Sequence, residues 1–408
     1  VQRSIFRFIF FGVLALGLAL LWQLRGNALN TAGMSAFYRD YFARILPSEA
    51  HELAYLEERT RQRALVYEKM IAEEHLDHGM VVNREADGDR IDECDSLLFS
   101  SLRYVALKKM GLEADADAAW DAIRASRSGG KWFRHPQCAH KSTSRDMIIG
   151  VLAALTQRPE GYREMLSELM DYLGEHGGYV GDGPFYVSYL SPGLAEILRH
   201  FARLEEIPDA ELPPVVRYGF STMEIDTYMS RIGFQSHLLA MVLWIEQELK
   251  RIEVAEAKHG EEVRALPLTL ERFTRALWGV KVREQRWPWL AQRLVDRDAK
   301  NLFFRWLRLS AADALTARAR LVMLRELDAM QQFPESRLPD SCDRRADYMW
   351  QRSSGEYAAR SKGVCIRRFS GVDYLWMASL LTASDYRGGG DGHTASAESP
   401  RAFFGYMP

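Results

Sequence analysis

Three aspartates in this chain stand where a carboxylate could do acid–base work: Asp95, Asp146 and Asp182. Asp95 and Asp146 follow long polar segments and open apolar runs, Asp95-Ser96-Leu97-Leu98-Phe99 and Asp146-Met147-Ile148-Ile149. An aspartate in such a place also satisfies open backbone N–H groups as a helix cap, so capping competes with chemistry at both. Between them, segment 127–145 carries Arg127, Lys131, Arg134, Lys141 and Arg145 with no acid, interleaved with Trp132, Phe133, His135 and His140. Arginine grips a carboxylate or phosphate through two parallel hydrogen bonds, and an aromatic face suits a pyranose ring. Trp132, Arg134, His135 and Arg145 are therefore candidate substrate contacts. The competing reading makes the segment a solvated loop with Trp132 plugging the core.

Asp182 lies in Gly177-Gly178-Tyr179-Val180-Gly181-Asp182-Gly183-Pro184-Phe185-Tyr186. No Gly-Lys-Ser/Thr follows, so this is not a nucleotide loop. One acid among Tyr179 and Tyr186 reads as a sugar subsite, or else as a rigid turn. Segment 337–368 has eight basic and four acidic side chains, and Trp350 and the later Trp376 complete the aromatic set. Glu224 is a reserve carboxylate. Cys94, His135, Cys138 and His140 are zinc-ligand types, but their spacing fits no standard pattern. Gly88 is misplaced for a calcium loop. Neither a metal nor a cofactor is expected.

These residues must be positioned by helices. Apolar side chains recur at helical spacing and almost nowhere alternate, so strands should be few and short. The pattern predicts helices over about 35–46, 51–77, 95–110, 114–126, 145–157, 160–174, 191–205, 234–257, 269–284, 288–309, 311–332 and 371–383. Gly111-Leu112-Glu113 and Arg158-Pro159 are tight links, whereas 78–94, 127–144, 175–190, 206–233 and 333–370 are long. Short links at one end and long ones at the other describe stacked helical hairpins with one elaborated face. Twelve helices in that rhythm make six hairpins, and closing them gives an all-α (α/α)6 toroid. An open solenoid is the alternative, although no repeat period is visible.

Residues 8–22 contain no polar side chain, and the apolar run reaches from Ile5 to Leu24 around Arg7 and Gln23. That is about the length of a bilayer core. Arg3 and Arg7 favour a cytoplasmic N-terminus. No good cleavage site follows, so residues 1–30 are expected to form an uncleaved inner-membrane anchor rather than a removed signal peptide. The single-pass chain would place its bulk in the periplasm or outside the cell. The helical domain would span 31–384, and 385–408, with Gly388-Gly389-Gly390, a flexible tail. Export suits disulfides, expected as Cys94–Cys138 and Cys342–Cys365, each tying neighbouring loops. The chain has 53 basic and 55 acidic residues among 408, a balance that excludes a generic nucleic-acid binder.

Taken together, residues 35–384 resemble the (α/α)6-toroid glycoside hydrolases and polysaccharide lyases. The local carriers are the acid-led helix starts Asp95-Ser96-Leu97-Leu98, Ser144-Arg145-Asp146-Met147 and Asp373-Tyr374-Leu375-Trp376. The resemblance implies a polysaccharide substrate. For a glycoside hydrolase it implies a carboxylic acid and a second carboxylate that activates water, two of Asp95, Asp146 and Asp182. A lyase would need a base such as Tyr186 or His135, with Arg134 or Arg145 neutralising a uronate. The other functional class is a non-catalytic glycan-binding partner of an envelope polysaccharide complex.

Overall fold

Apolar residues in this chain are distributed so that helices buried on every side alternate with helices buried on one face. The computed structural model describes residues 45–85, 91–92, 96–138, 143–180, 190–217, 234–256, 282–329, 367–368 and 370–383. Helices make up 72% of the described residues. They are α1 (Pro47–Glu74), α2 (Leu97–Met110), α3 (Glu113–Arg124), α4 (Arg145–Leu155), α5 (Tyr162–Glu175), α6 (Pro192–Leu204), α7 (Pro214–Arg217), α8 (Phe234–Ala255), α9 (Val282–Arg297), α10 (Leu302–Ala311), α11 (Ala317–Ala329) and α12 (Val372–Thr382). In α2, α4 and α12 nearly every residue is buried, whereas α3 buries Ala116, Ala119, Trp120 and Ile123 along one stripe. An all-round apolar helix is stable in water only when enclosed by others, and a one-stripe helix is its cover.

The expected shortage of strands holds among the described residues. Seven strands of two or three residues occur: β1 (Leu76–Asp77), β2 (Met80–Val81), β3 (Asn83–Glu85), β4 (Ile91–Asp92), β5 (Arg127–Ser128), β6 (Lys131–Trp132) and β7 (Arg367–Arg368). β1 pairs with β2, β5 with β6, and β3 with both β4 and β7, all antiparallel. Most expected helices lie within a few residues of their observed bounds, but α11 starts at Ala317 rather than 311, the short α7 falls in the expected loop 206–233, and most of the expected helix at 269–284 lies outside the described residues. The sequence pattern divides the chain at Pro288 and runs a helix over 288–309. Instead α9 continues through Pro288, and the break comes at Asn301. Pro288 is the seventh residue of α9, past its first turn, so the helix carries the proline inside at the cost of one backbone hydrogen bond. Asn301 is buried, and its Oδ1 accepts from the N–H groups of Phe303 and Phe304, which starts α10 afresh. The expected helix at 35–46 and the anchor at 1–30 lie outside the described residues, as does the tail. Among the described residues, no helix is long and apolar enough to cross a membrane.

The last helices return to the first. α12 packs on α1 and α2, and α11 packs on α1. Tyr67 and Tyr374 stack with ring centroids 4.2 Å apart and planes 7° apart. Buried Arg320 of α11 donates to the Leu381 carbonyl at the end of α12 and pairs with Glu57 of α1. Arg59–Asp328 and Arg325–Glu52 add surface pairs along the same seam. Gly371 caps the start of α12 at φ 73°, and a Cβ there would lie 2.6 Å from Tyr67 Cε1.

A second buried polar cluster joins α6, α8 and α9. His200 Nδ1 lies 2.8 Å from Glu246 Oε2, and its Nε2 lies 3.5 Å from Glu253. Arg286 pairs with Glu196, and Lys250 lies 4.2 Å from the Trp287 ring centroid. Burial alone would raise the Glu246 carboxyl, but His200, Lys250 and Arg286 outweigh it and hold that carboxyl below its ordinary range. Burial also lowers the Lys250 ammonium.

Two predictions follow from these contacts. Gly371→Ala should lower unfolding stability by about 2–4 kcal/mol through both φ strain and the clash with Tyr67. Gly111→Ala, at φ 75° with open space around its Cβ, should cost only about 1 kcal/mol; urea titration of the pair isolates the packing part. Because Glu246 binds its proton less readily folded than unfolded, its stabilisation is present above the ordinary glutamate range and lost as pH falls below that range through the lower folded value. Glu246→Gln should therefore be less stable near neutrality and flatten the acid limb of a stability–pH curve.

Candidate functional site

A hairpin, a basic loop and two helix starts meet at one end of the helices. The β1–β2 hairpin pairs Leu76 with Val81 and Asp77 with Met80, leaving His78-Gly79 as its two turn residues. Both have positive φ, 50° and 78°, the combination that matches the twist of a two-residue hairpin. Histidine is among the few side chains enriched in that backbone region. A Cβ on Gly79 would come within 2.7 Å of Ala122, so the tip is pressed against α3. Buried His75 closes the hairpin: its backbone carbonyl accepts from Val82 N–H, and its Nδ1–H donates to the Val82 carbonyl. The Val81 N–H donates to Ser100 Oγ in the first turn of α2.

Loop 133–138 reaches the same place. The Leu97 N–H at the start of α2 donates to the Arg134 carbonyl, 3.0 Å. Gly150, five residues into α4, lets that helix approach α2 so closely that a Cβ would sit 2.8 Å from Leu98 Cα. Arg145 and Asp146, at the start of α4, therefore lie about 6–8 Å along the helix axis from that crossing. The Ser370 N–H, just before α12, donates to Asn83 Oδ1 beside the hairpin.

At this junction Asp77, His78 and His135 form a cluster. Their Asp77 carboxylate, His78 and His135 ring atoms all lie within 4.8 Å of one another. His78 Nδ1–H donates to Asp77 Oδ2 at 3.1 Å, and His135 Nε2 lies 3.3 Å from the same oxygen and 3.2 Å from the Asp77 carbonyl. His135 is fully buried, whereas the His78 side chain is 53% exposed.

Two histidines and an aspartate are metal-ligand types, and the hydrogen bonding decides whether they fit an ion. The Gln137 backbone N–H donates to His135 Nδ1 at 3.1 Å. A backbone amide has no other role there, so Nδ1 holds the lone pair and Nε2 the proton. His135 thus presents a donor, not a ligand, to its neighbours. His78 has the opposite arrangement. With its Nδ1–H on a carboxylate, its Nε2 lone pair points away from Asp77, facing the exposed Gln137 side-chain amide at 3.5 Å.

The expected site residues are distributed unevenly. Asp146 is half-buried at the start of α4 and accepts from the Ser144 hydroxyl. Arg134 and His135 come to the junction, whereas Arg145 and Asp146 stand at the start of α4, one to two helical turns before its crossing with α2. Trp132 and Trp376 do not present faces to solvent. Trp132 is fully buried with its ring centroid 6.4 Å from that of Trp120, and Trp376 packs edge-on between Trp244 and Phe303. Their size filled the interior, which is the reading that competed with sugar stacking. His135 likewise has no access to substrate and a committed proton, which removes it as a base. Tyr179 is exposed, 47%, on the loop after α5. Cys138 is buried and disulfide-bonded. Asp95, Asp182, Tyr186, Trp350, Cys94, Cys342, Cys365 and Glu224 lie outside the described residues. Asp77 and His78 were missed by sequence reasoning. Their signal was Asp77-His78-Gly79 between Leu76 and Met80-Val81-Val82, a turn tripeptide bounded by apolar residues.

The chain matches no family model and no curated protein. The junction must therefore be read from its own chemistry. Zinc chloride at tens of micromolar should leave the thermal unfolding midpoint unchanged, and a chelator should do the same. A saturable rise in the midpoint that vanishes in His135→Phe would reverse the tautomer assigned to His135.

Proposed function

We propose that this chain is an exported, membrane-anchored enzyme that cleaves an acidic polysaccharide by β-elimination. The carrying observation is the meeting of the basic loop around Arg134 with an imidazole–carboxylate cluster, beside the start of α2 that α4, led by Arg145 and Asp146, crosses. Abstracting a proton next to a uronate carboxylate requires a base and a cation that offsets the carboxylate charge. The junction brings both residue types together, and its carboxylate, Asp77, is engaged by His78 and His135 rather than standing free as one of the facing pair that hydrolysis uses.

The architecture proposed for it is an (α/α)6 ring. The alternation of enclosed and covering helices and the return of α11 and α12 to α1 support that reading. The N-terminal apolar run is the proposed anchor, holding the protein to the inner membrane with its bulk outside the cytoplasm. A disulfide at Cys138 agrees with an oxidising compartment. Cys94 is its proposed partner, with Cys342 and Cys365 as the second pair.

Full-length protein in mild detergent, incubated with neutral and uronate-bearing polysaccharides, tests the activity. The expected product is an ultraviolet-absorbing unsaturated end from uronate-bearing chains alone. A plain reducing end that disappears in Asp146→Asn would establish hydrolysis instead. Binding without cleavage would identify a glycan-binding partner of an envelope complex.

A further inference from the structure

We propose that His78 is the catalytic base at this junction, with Asp77 orienting its ring and His135 acting as a positioning residue through Asp77. The assignment rests on the eliminative reading above and names the group that would carry it out.

The argument begins with the backbone. A two-residue hairpin needs two positive-φ positions, and Gly79 meets one without cost. His78 occupies the other at φ 50°, where asparagine or glycine would satisfy the turn equally well. The imidazole is therefore not demanded by the turn. Its exposure shows that packing does not demand it either. Its Nδ1–H is directed to Asp77 Oδ2, which fixes ring orientation and tautomer together and turns the Nε2 lone pair to the exposed side, where the Gln137 side-chain amide at 3.5 Å is a neighbour that a substrate must displace. This carboxylate–imidazole arrangement produces a base in many unrelated enzymes.

His135 explains why Asp77 stays in place. A carboxylate on a hairpin tip can rotate away from its partner, but Asp77 is held from behind by the buried His135 ring. His135 cannot turn its donor elsewhere, because the Gln137 N–H occupies its other nitrogen. The loop carrying both residues is fastened to α2 through the Arg134 carbonyl. An ordered chain thus runs from a helix start, through a buried histidine, to a carboxylate and an exposed imidazole.

In the proposed step His78 Nε2 takes the proton from the carbon next to the uronate carboxylate. The released electron pair forms a carbon–carbon double bond to the neighbouring ring carbon, whose bond to the glycosidic oxygen breaks. That oxygen leaves with the bonding pair and receives the proton back from the His78 imidazolium. Atoms and charge balance without a co-reactant.

Steady-state kinetics on whichever uronate-bearing polysaccharide the full-length protein cleaves tests the assignment. His78→Asn keeps a side chain suited to the left-handed turn, so folding should be retained. It should lower kcat by about 10²–10⁴-fold, the usual contribution of a general base, with KM little changed. His135→Phe, which keeps a ring but removes the donor, should lower kcat while sparing KM, and His135→Gln, which restores a donor, should recover part of it. Nitrogen-15 spectra should show His78 protonated at Nδ1 in the wild type and a mixture of tautomers in His135→Phe. Near-wild-type turnover by folded His78→Asn overturns the assignment and leaves the eliminative reading standing. Failure of the wild type to cleave any polysaccharide overturns that reading, and the role given to His78 falls with it.

Discussion

The stacking of Tyr67 on Tyr374 joins the beginning of the described helices to their end, and much else is arranged by that contact. α1 and α12 are separated by most of the chain, so bringing them together carries a large loop-closure cost. An aromatic pair contributes only about 0.5–1.5 kcal/mol beyond the area it buries. The contact holds because it is one part of a broad seam. α12 lies against both α1 and α2, Arg320 ties α11 to α12 and α1, and Gly371 removes the one Cβ that would push the rings apart. Enclosing α12 on all sides depends on this seam, since its buried surface runs around the whole helix.

The interior is not uniformly apolar. Arg103 and Glu68 form a buried pair between α2 and α1, and Lys109 pairs with Glu248 between α2 and α8. With the His200–Glu246 cluster these fix which helices meet, because a wrongly placed neighbour would strand a charge in a low-dielectric interior. Apolar packing alone tolerates sliding and substitution, and paired buried charges do not. Burial raises the Glu68 carboxyl even though Arg103 opposes it, which is the cost of using such pairs as locators.

The helix pattern was legible in the sequence because its period is local. Runs such as Leu97-Leu98-Phe99 and Met147-Ile148-Ile149 identify enclosed helices without reference to any neighbour, and strand scarcity follows from the same pattern. The expected helix over 288–309 shows the limit: the apolar period continues across 298–301, and the break is made by Asn301, which caps α10. In the site, the basic loop and Asp146 were legible as charged residues beside helix starts. Asp77 and His78 were not, because their strands are two residues long and leave no periodic trace. Trp132 and Trp376 were misjudged for the opposite reason, since a large aromatic side chain has the same letter in a core as on a binding surface.

The sequence by itself determined the class of structure: helices, few strands, an apolar N-terminal run, and loops of opposed charge. Each is a property of residues near one another along the chain. Tertiary structure alone decided which loops face each other and which protons are committed. His135 is a case in point. In the sequence it is a candidate base or zinc ligand, and only the Gln137 N–H on one nitrogen and Asp77 on the other make it a fixed donor. The proton on an imidazole is assigned by its neighbours in space, and those neighbours come from a hairpin and a loop some sixty residues apart.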